Sequence, residues 1–335
     1  MRVAVTGASG FLGRKLVAAL RAAGHTVTAV VRASVDPARR AALHVDNVNI
    51  VTSALDDELG LGEAFAGVDA VFHLAGLVDC ERSRAEAEAV NLVGTEAVLA
   101  AARGAKVRRL VYASCEAVTR SDEARSYVDE THPQPSQFYD PVTETRALAE
   151  DLVVAASDAA FETVTLRFGR LWGVGDTSLL PGYVREARAG RVRLVGGGRS
   201  LLSTCYVDNA VDALGLAMTR EAASSKLYYV TDDERVSWRS YLSRLHKALG
   251  LPEVQKNTPY AVAWLSARLS DRVQKASRGA RSRLQAEGVS FHFNIQRARN
   301  ELGYAPRVSL DEGFAKMKAW VAAVGVEAIA RGEAL

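Results

Sequence analysis

The chain has 335 residues, of which 48% are hydrophobic and 24% are charged, and its formal net charge is +3. These values are ordinary for a globular protein, and a charge so close to zero gives no reason to expect a nucleic-acid or membrane partner. No apolar run reaches the ~18 residues that a bilayer span needs, so we expect no membrane span. The length fits one large α/β domain with a smaller lobe.

The cysteines and the N-terminus indicate a cellular compartment. The three cysteines, Cys80, Cys115 and Cys205, are scattered and have no metal-ligand spacing. We therefore expect reduced thiols and no metal site. The N-terminus opens on a strand pattern instead of a basic leader with an apolar core, so we expect a cytoplasmic protein.

Apolar runs and helical periodicity alternate through the first two-thirds of the chain. Early strands are predicted at 3–6, 26–31, 48–51, 70–74 and 109–113, and later strands at 205–207 and 227–230. Helices are predicted at 13–23, 88–103 and 141–156, and the chain from 236 onward is mostly helical. Strands that alternate with helices predict a parallel, doubly wound sheet, that is, an α/β fold of the Rossmann type.

The alternation of strands and helices becomes irregular after residue 166, where glycine-rich turns appear. We predict a dinucleotide-binding domain from 1–166, to which 203–230 returns. A smaller, mainly helical substrate lobe is predicted from 167–202 and 231–335, and ligands should bind at the carboxyl ends of the strands. Within that lobe, 259–269 is a short helix with one apolar side. We favour a cap over a pocket for it, and the alternative is a helix that rests on lipid.

The first predicted strand runs directly into a glycine-rich turn and a helix. Gly7 would permit the tight turn, Gly10 the approach of a pyrophosphate and Gly13 close packing of helix on strand. The N-terminus of that helix offers free N–H groups and a positive dipole end to phosphates. This context favours dinucleotide binding over a plain glycine-rich turn.

The end of the second predicted strand indicates which dinucleotide binds. An acidic residue there would bind the ribose 2′-hydroxyl of NAD(H). This chain has Arg32 and Ser34 instead, with Arg39 and Arg40 nearby. Because a guanidinium binds a phosphate in a bidentate manner, we favour NADP(H) over NAD(H). The alternative is a solvated basic loop.

Several motifs together resemble the extended short-chain dehydrogenase/reductase family, in the branch of NAD-dependent epimerases and 3β-hydroxysteroid dehydrogenases. They are the Gly7-x-x-Gly10-x-x-Gly13 turn, the His-Leu-Ala-Gly run at 73–76, Asn91 with Gly94-Thr95, and the segments 206–213 and 298–304. The resemblance covers nearly the whole chain. It implies cofactor contacts from Gly7, Ser9, Gly10, Phe11, Leu12, Gly13, Arg32, Ser34, Leu55, Leu74, Ala75, Gly76, Asn91, Ala113, Arg146 and Phe168.

The chain departs from that family where catalysis is expected. Such enzymes carry a Ser or Thr, a Tyr and a Lys. Alignment on the fifth strand places Cys115 at the hydroxyl position, with Ser114 just before it. The Tyr-x-x-x-Lys pair becomes Val142 and Arg146. Valine transfers no proton, whereas arginine stays charged and can still bind ribose hydroxyls. The acidic contact to adenine is also missing, since Ser53-Ala54-Leu55 replaces the usual Gly-Asp-Leu.

The proton donor is therefore open. Tyr139 lies on the loop before Asp140-Pro141, which is typical of a helix N-cap followed by proline. Tyr139, a water or a hydroxyl of the substrate are the candidates, and the alternative role for Tyr139 is to hold the start of the helix. Thiol catalysis by Cys115 is disfavoured because the sequence places no histidine beside it.

Substrate contacts are expected from an apolar and aromatic segment that includes 171–173, 179–181 and Tyr183, although a simple core has the same composition. The leading hypothesis is an NADPH-dependent reductase of a ketone on a hydrophobic or polycyclic substrate, catalysis involving Ser114, Cys115, Tyr139 and Arg146. The second hypothesis is a non-catalytic NADP(H) sensor or interaction module. A homodimer through 88–103 and 141–156 is expected from the resemblance.

Overall fold

The computed structural model describes residues 1–273 and 279–334, with side chains described for 1–269 and 279–334. In chain order the strands are β1 Arg2–Thr6, β2 Thr26–Val31, β3 Val48–Thr52, β4 Ala70–His73, β5 Arg109–Cys115, β6 Arg125–Val128, β7 Glu162–Phe168, β8 Arg170–Trp172, β9 Leu194–Val195, β10 Leu201–Leu202, β11 Thr204–Tyr206, β12 Lys226–Val230, β13 Val236–Ser237, β14 Asn257–Thr258 and β15 Phe291–Phe293.

Helices connect most of these strands. They are α1 Phe11–Ala22, α2 Pro37–Ala41, α3 Glu58–Phe65, α4 Arg84–Ala87, α5 Gly94–Gly104, α6 Pro141–Ala155, α7 Leu180–Arg188, α8 Val207–Thr219, α9 Trp238–Leu249, α10 Tyr260–Val273, α11 Ala280–Gly288, α12 Leu310–Val324 and α13 Val326–Arg331. Short 3₁₀ turns occur at Glu116–Thr119, Gly196–Gly198 and Glu221–Ala223, and π-helical turns at Glu88–Val93 and Ala298–Leu302.

Seven of the strands form one parallel sheet in the order β3-β2-β1-β4-β5-β7-β12. This confirms the doubly wound α/β fold predicted from the alternating pattern. The chain crosses from β3 back to β4 beside β1, so the two halves of the sheet diverge between β1 and β4. In such sheets the crevice at that reversal, outside the carboxyl ends of the strands, is where ligands bind.

Buried apolar side chains on both faces hold the sheet between layers of helices. One core packs β-strand residues such as Val3 and Phe72 against α1 and α8 and continues into α9 and α12. The other packs Val71 and Leu110 against α3, α5 and α6. Strands that are buried on both faces consist of near-continuous apolar runs, and these runs made the strands predictable from the sequence.

The element boundaries differ from the prediction in a few places. The strand predicted at 109–113 continues to Cys115, because its partner β7 pairs with it through Phe168. The helix predicted at 13–23 starts at Phe11, directly after Gly10. The helix predicted at 88–103 starts at Arg84, where Ser83 and Glu86 form a capping box, and passes through the π-helical turn Glu88–Val93. Local side-chain capping, which periodicity does not detect, moved that start.

Outside the main sheet lie β6, β8 to β11, β13 to β15 and the helices after β13. Four two-stranded sheets pair β10 with β13, β8 with β11, β9 with β14 and β6 with β15. The proposed division of the chain, with 203–230 returning to the first domain, stays a proposal; β12 in that segment completes the main sheet. In the part of the chain that the structure describes, no helix is long and apolar enough to cross a membrane.

Candidate active site

The turn after β1 is shaped for a phosphate-containing ligand. Gly7 has φ +69°, and a Cβ there would lie 2.7 Å from the backbone nitrogen of Ala75. Gly10 is the N-cap of α1 in extended conformation and supplies no side-chain cap, which leaves N–H groups of the first helical turn open to a ligand. A Cβ at Gly13 would collide with the carbonyl of Gly7. The residues present therefore fit a dinucleotide pyrophosphate at this helix N-terminus.

The other residues predicted to contact the cofactor share one edge of the fold. Each lies at the carboxyl end of a strand of the main sheet, in the loop that follows it, or in the first turn of α1: Ser9, Phe11, Leu12, Leu55, Leu74, Ala75, Gly76, Ala113 and Phe168. Leu55 lies against Gly94: a Cβ added at Gly94 would lie 3.0 Å from the Cβ of Leu55. The topology thus brings these residues, distant in sequence, to a common crevice.

Asn91 ties the loop after β4 to α6. Its Oδ1 accepts a hydrogen bond from the backbone of Leu77 at 2.7 Å, and its Nδ2 donates to Thr145 Oγ1 at 3.1 Å and to the carbonyl of Val142 at 3.5 Å. The side chain is 2% exposed and lies in a π-helical turn. Since these bonds occupy both ends of the amide, Asn91 positions the walls of the crevice.

Arg146 points its charge into the same region. It is buried, and its Nη2 donates to the carbonyl of Ala113 at 2.9 Å. Its Nε has no hydrogen-bond partner among the described residues. A Cβ at Gly76 would lie 2.9 Å from Nη1, so glycine there leaves room for the guanidinium. A buried, permanently charged donor with an unpaired N–H fits ribose hydroxyls of a bound nucleotide.

Val142 lies one helical turn before Arg146. Asp140 caps α6 by accepting from the backbone of Thr143 at 2.8 Å, and Pro141 occupies the first helical position, as the sequence predicted. The side chain of Val142 is 2% exposed. An alkyl group therefore stands four residues before the cation, where the family resemblance predicts a phenol, and it offers no proton.

Cys115 and Ser114 face opposite sides of β5. The Cys115 thiol is half-buried at the end of the strand and lies within electrostatic range of Arg146. Ser114 Oγ instead donates to Glu150 at 2.5 Å on the α6 side of the sheet. The side-chain period of a strand is two residues, so adjacent residues point in opposite directions. Cys115 thus borders the crevice, whereas the hydroxyl of Ser114 is bound to a carboxylate.

The carboxylate that binds Ser114 belongs to a buried network. Glu150 is 1% exposed and pairs with Arg167 at 2.5 Å, and Arg167 in turn donates to Tyr229 Oη at 3.1 Å. The hydroxyl of Tyr229 is also hydrogen-bonded to Thr119 at 2.8 Å. This network links α6, β7 and β12, so Ser114 holds these elements in place, whereas the sequence analysis expected it to take part in catalysis.

The contacts of Tyr139 are with residues other than Cys115 and Arg146. Its hydroxyl donates to the carboxylate of Asp122, and the Arg281 guanidinium lies 4.9 Å from its ring centre. Asp122 also accepts from Gln285 of α11 at 3.3 Å. Partial burial, followed by the hydrogen bond to Asp122, raises the pKa of Tyr139 to about 12. These contacts match the alternative role for Tyr139, which is to hold the start of α6, here against α11.

A buried ion pair directly after Cys115 was missed by the sequence analysis. Arg120 Nη2 donates to Glu116 Oε1 at 2.6 Å, and both residues are at least nine-tenths buried. Burial raises the pKa of Glu116, against the effect of the Arg120 charge. The available signal was an acidic residue at a strand end with an arginine four residues later, a spacing that juxtaposes side chains over one turn.

The predicted substrate segment lines a recess together with residues of α9 and α12. The lining residues include Arg170, Leu171, Trp172, Gly173, Asp176, Leu179, Leu180, Tyr183, Tyr241, Leu245 and Met317. Trp172 is 3% exposed and packs on Tyr206, Tyr241 and Phe314, so its ring belongs to the core. Tyr183 at the recess is hydrogen-bonded to His246 Nε2 at 2.6 Å. The segment thus forms both core and recess.

Arginines gather beside the end of β2. Arg32 and Ser34 are exposed there, and Arg39 donates to the carbonyl of Thr177 at 3.4 Å. Arg14 of α1 donates to the carbonyls of Ser9 and Gly175, and burial together with the Arg39 charge lowers its pKa. The repulsion between these cations indicates a site that an anion would stabilise.

His73 lies at the end of β4, and both of its ring nitrogens bind protein groups. Its Nδ1 is hydrogen-bonded to Thr6 Oγ1 at 2.8 Å and its Nε2 to Thr95 Oγ1 at 3.0 Å. Complete burial, with a smaller effect of the Arg146 charge, lowers the pKa of His73 to about 3. The neutral ring therefore holds β1, β4 and α5 together and does no acid–base work near neutral pH.

Comparison with known proteins fits this geometry. Residues 4–260 match the 3-beta hydroxysteroid dehydrogenase/isomerase family. The chain belongs to this family. It is a family of NAD(P)-dependent oxidoreductases within the extended short-chain dehydrogenases/reductases, as the motifs predicted.

Relatives of this 3-beta hydroxysteroid dehydrogenase/isomerase family member match it over nearly full length. A 4-hydroxy-2-methyl-3-oxo-4-farnesyl-3,4-dihydroquinoline-1-oxide ketoreductase of Stigmatella aurantiaca is 37% identical, covering 94% of this chain and 95% of its own. A 2-alkyl-3-oxoalkanoate reductase of Stenotrophomonas maltophilia is 34% identical, covering 96% and 100%. A short-chain dehydrogenase/reductase superfamily protein of Agrobacterium tumefaciens, solved with bound NAD, has a TM-score of 0.74 at 25% identity, covering 95% and 96%.

Proposed function

We propose that this protein is an NADPH-dependent reductase of a ketone carried on a hydrophobic or polycyclic substrate. The observation that carries the proposal is the buried Arg146, which retains a cation at the carboxyl end of β5 although the tyrosine expected four residues earlier is Val142. Two relatives that match the chain over nearly its whole length are named as a ketoreductase and a 3-oxoalkanoate reductase. A site that keeps the cation of Arg146 but has Val142 in place of the tyrosine fits a reductase whose proton comes from an unusual source.

The chain's own residues would hold the cofactor in an extended pose. The N-terminus of α1 at Gly10 would bind the pyrophosphate, and Arg146 would bind the nicotinamide ribose through its free Nε. When bound, the nicotinamide supplies a hydride to the carbonyl carbon. The chain contributes by fixing the carbonyl within the crevice beside Cys115, since orientation alone accounts for a large part of such a rate.

NADPH is proposed over NADH because of the cations at the end of β2. Arg32 is exposed and available to a 2′-phosphate, and Ser34 adds a hydroxyl donor two residues later. Asp36, an acidic residue close by in the sequence, caps α2 by accepting from the backbone of Arg39 at 3.1 Å. A carboxylate engaged in this way is not positioned for a ribose 2′-hydroxyl.

The proton is proposed to come from the substrate itself or from a water. Tyr139 is the nearest phenol along the chain, but its hydroxyl donates to Asp122 and its pKa is raised to about 12. The named substrate of the Stigmatella relative carries a 4-hydroxyl next to its 3-oxo group. A hydroxyl in that position would relay a proton to the developing alkoxide without any side-chain acid, and water would return a proton to the 4-oxygen. The thiol of Cys115 lies within electrostatic range of Arg146 at the end of β5.

Turnover of matched ketones tests this function. We expect the protein to oxidise NADPH with polycyclic ketones that carry a hydroxyl beside the carbonyl. The methyl ethers of the same ketones should react at least tenfold more slowly if the substrate donates, and equally fast if water does. Tight NADPH binding with no consumption of any hydroxy-ketone, methyl ether or 2-alkyl-3-oxoalkanoate would contradict the reductase proposal.

That contradicting result would favour the second candidate, a non-catalytic NADP(H) sensor or interaction module. The observation in its favour is the full burial of Val142 at the position of the expected acid. For either function we propose a homodimer through the helices around α5 and α6, which expose Val93, Leu148 and Val154. Light scattering on the eluted protein gives the mass directly, and a monomer would contradict that assembly.

A further inference from the structure

Arg170 lies at the same edge of the main sheet as the candidate active site. It opens β8, and it follows Phe168, the last residue of β7, which pairs with Cys115 at the end of β5. Two residues of extended chain span no more than about 7 Å. Burial raises the pKa of Glu116, the residue after Cys115, and the Arg170 charge is among the effects that oppose this increase. The guanidinium therefore acts on the end of β5, where the crevice lies.

The Arg170 side chain lines the recess of the predicted substrate segment. Apolar groups of that recess include Leu180, Leu245 and Met317. The guanidinium carbon of Arg170 lies 5.0 Å from the ring centre of Trp238, a side chain that is 5% exposed. Because a buried aromatic face attracts the cation, the ring restricts where the guanidinium lies. The recess thus combines an oriented cation with apolar walls.

The charge of Arg170 is not paired within the protein. Several buried arginines of the fold form ion pairs with carboxylates, as in Arg109–Glu162, Arg120–Glu116 and Arg167–Glu150. Among the side chains that the structure describes, by contrast, no carboxylate lies within 4.0 Å of the Arg170 guanidinium. A partly buried cation without a counterion is stabilised by an anionic ligand.

The carboxyl groups near Arg170 are already compensated or are costly to ionise. Glu116 is paired with Arg120. Asp176, which also lines the recess, accepts hydrogen bonds from two backbone N–H groups just before α7, at 2.8 Å and 3.1 Å. Burial raises the pKa of Glu287 in α11, against the effect of the Arg170 charge. The guanidinium therefore keeps a positive charge that a ligand can pair with.

We propose that Arg170 binds an anionic oxygen group of the substrate, so that the reduced ketone carries a carboxylate or a comparable oxyanion. This inference rests on the proposed reductase function and adds the class of substrate to it. A guanidinium binds such a group through two parallel N–H···O bonds, while the apolar walls receive the hydrocarbon part. Since Arg170 and Cys115 lie at adjoining strand ends, the oxyanion and the carbonyl should be few bonds apart, as in a 3-oxo acid.

Binding of a stable product analogue tests this site without turnover. Protein saturated with NADP⁺ is titrated calorimetrically with 3-hydroxydecanoate and with its neutral methyl ester. We expect the acid to bind about tenfold or more tightly than the ester, because only the acid forms a charge-assisted contact. Equal affinities for the two, or binding of neither, would overturn the proposal.

The same titration separates this inference from the proposed function. Turnover of neutral ketones without a preference for the acid would refute the anion site and leave the reductase in place. A preference for the acid without turnover of any ketone would support the anion site and contradict the reductase.

Variants of Arg170 assign the preference to its charge. Arg170→Gln should weaken binding of the acid by about 10- to 100-fold and change the ester and NADPH affinities by less than about twofold. Arg170→Lys should recover part of the affinity, and Arg21→Gln, an exposed arginine of α1, should change none. With a 3-oxo acid, the Gln variant should raise KM more than it lowers kcat.

Equal losses for the acid and the ester in Arg170→Gln would assign the residue a structural role and overturn the proposal. Thermal unfolding checks the fold of each variant. If the Gln variant does not fold, the comparison of acid and ester on the wild type decides, since it requires no substitution.

Discussion

The hydroxyl of Tyr139 donates to Asp122 across 17 residues of chain, and Asp122 also accepts from Gln285 of α11. This contact directs the phenol to the junction between the start of α6 and α11. The cation Arg146 lies with Cys115 and Ala113 at the end of β5. The family's usual arrangement of phenol and cation is thus divided between two places, and the predictions follow from that division.

Loss of the Tyr139 hydroxyl should leave catalysis nearly intact. In Tyr139→Phe we expect kcat to fall less than about threefold, whereas a lost general acid typically costs 10²–10⁴-fold. The free energy of unfolding should fall by about 1 kcal/mol, because the hydrogen bond to Asp122 is lost. Tyr127→Phe, an exposed tyrosine, is the control. A hundredfold loss of kcat with unchanged NADPH affinity would identify Tyr139 as the acid.

Arg146 should act on the cofactor through its charge. Replacing Arg146→Met removes charge-assisted hydrogen bonds and should weaken NADPH binding by about 10- to 100-fold. Arg146→Lys should recover most of the affinity, since an ammonium also reaches ribose hydroxyls. Fluorescence titration with NADPH measures both, and circular dichroism checks the fold. Equal affinity in the Met variant would remove Arg146 from the proposed site.

Arg32 should decide between the two nicotinamide cofactors. In Arg32→Ala we expect the KM for NADPH to rise about tenfold or more, because a charge-assisted contact to the 2′-phosphate is lost. The KM for NADH should change little. Arg21→Ala, an exposed arginine at the far end of α1, should change neither. Parallel changes of both KM values in the Arg32 variant would refute a phosphate contact.

The neutral His73 should make folding sensitive to acid. Its folded pKa is about 3 and its unfolded pKa is about 6.5, so the unfolded chain binds the proton first as the pH falls. The stabilisation is complete above about pH 6.5 and is lost towards pH 3, by up to about 1.4 kcal/mol per pH unit. Urea unfolding at several pH values measures this slope.

Two asparagine variants assign that slope to His73. His73→Asn should be less stable at neutral pH and should lose the pH dependence between 6.5 and the acid limit. His44→Asn, an exposed histidine, should keep the wild-type slope. If the His73 variant does not fold, the imidazole resonances of the wild type still decide, since an imidazolium at pH 5 would contradict a buried neutral ring.

Local features of the fold were predictable from sequence, because they depend on near neighbours. The turn at Gly7 and the cap at Asp140 are specified within a few residues, and both occur where the pattern placed them. The parallel sheet followed from apolar runs that only strands buried on both faces produce. Family motifs then aligned Val142 and Arg146, and the structure brings Arg146 to the end of β5.

Side-chain partners distant in sequence were not predictable in the same way. Ser114 was expected at the crevice, but the register of β5 points it at Glu150 on the opposite face. A one-residue change in strand phase reverses the face of a side chain, and sequence alone did not fix that phase. Likewise, nothing near Tyr139 in the sequence indicates Asp122 as its partner, since the loop that carries Asp122 is positioned by tertiary packing.

Transfer of isotope from the cofactor tests the central claim most directly. The protein is incubated with NADPH deuterated at C4 of the nicotinamide and with a hydroxy-ketone, and the product is analysed by mass spectrometry. The account predicts an alcohol that carries the deuterium on the former carbonyl carbon, from one of the two C4 faces, with the same result in Tyr139→Phe. Binding of the labelled NADPH without any labelled alcohol, across hydroxy-ketones and 3-oxoalkanoates alike, would contradict it.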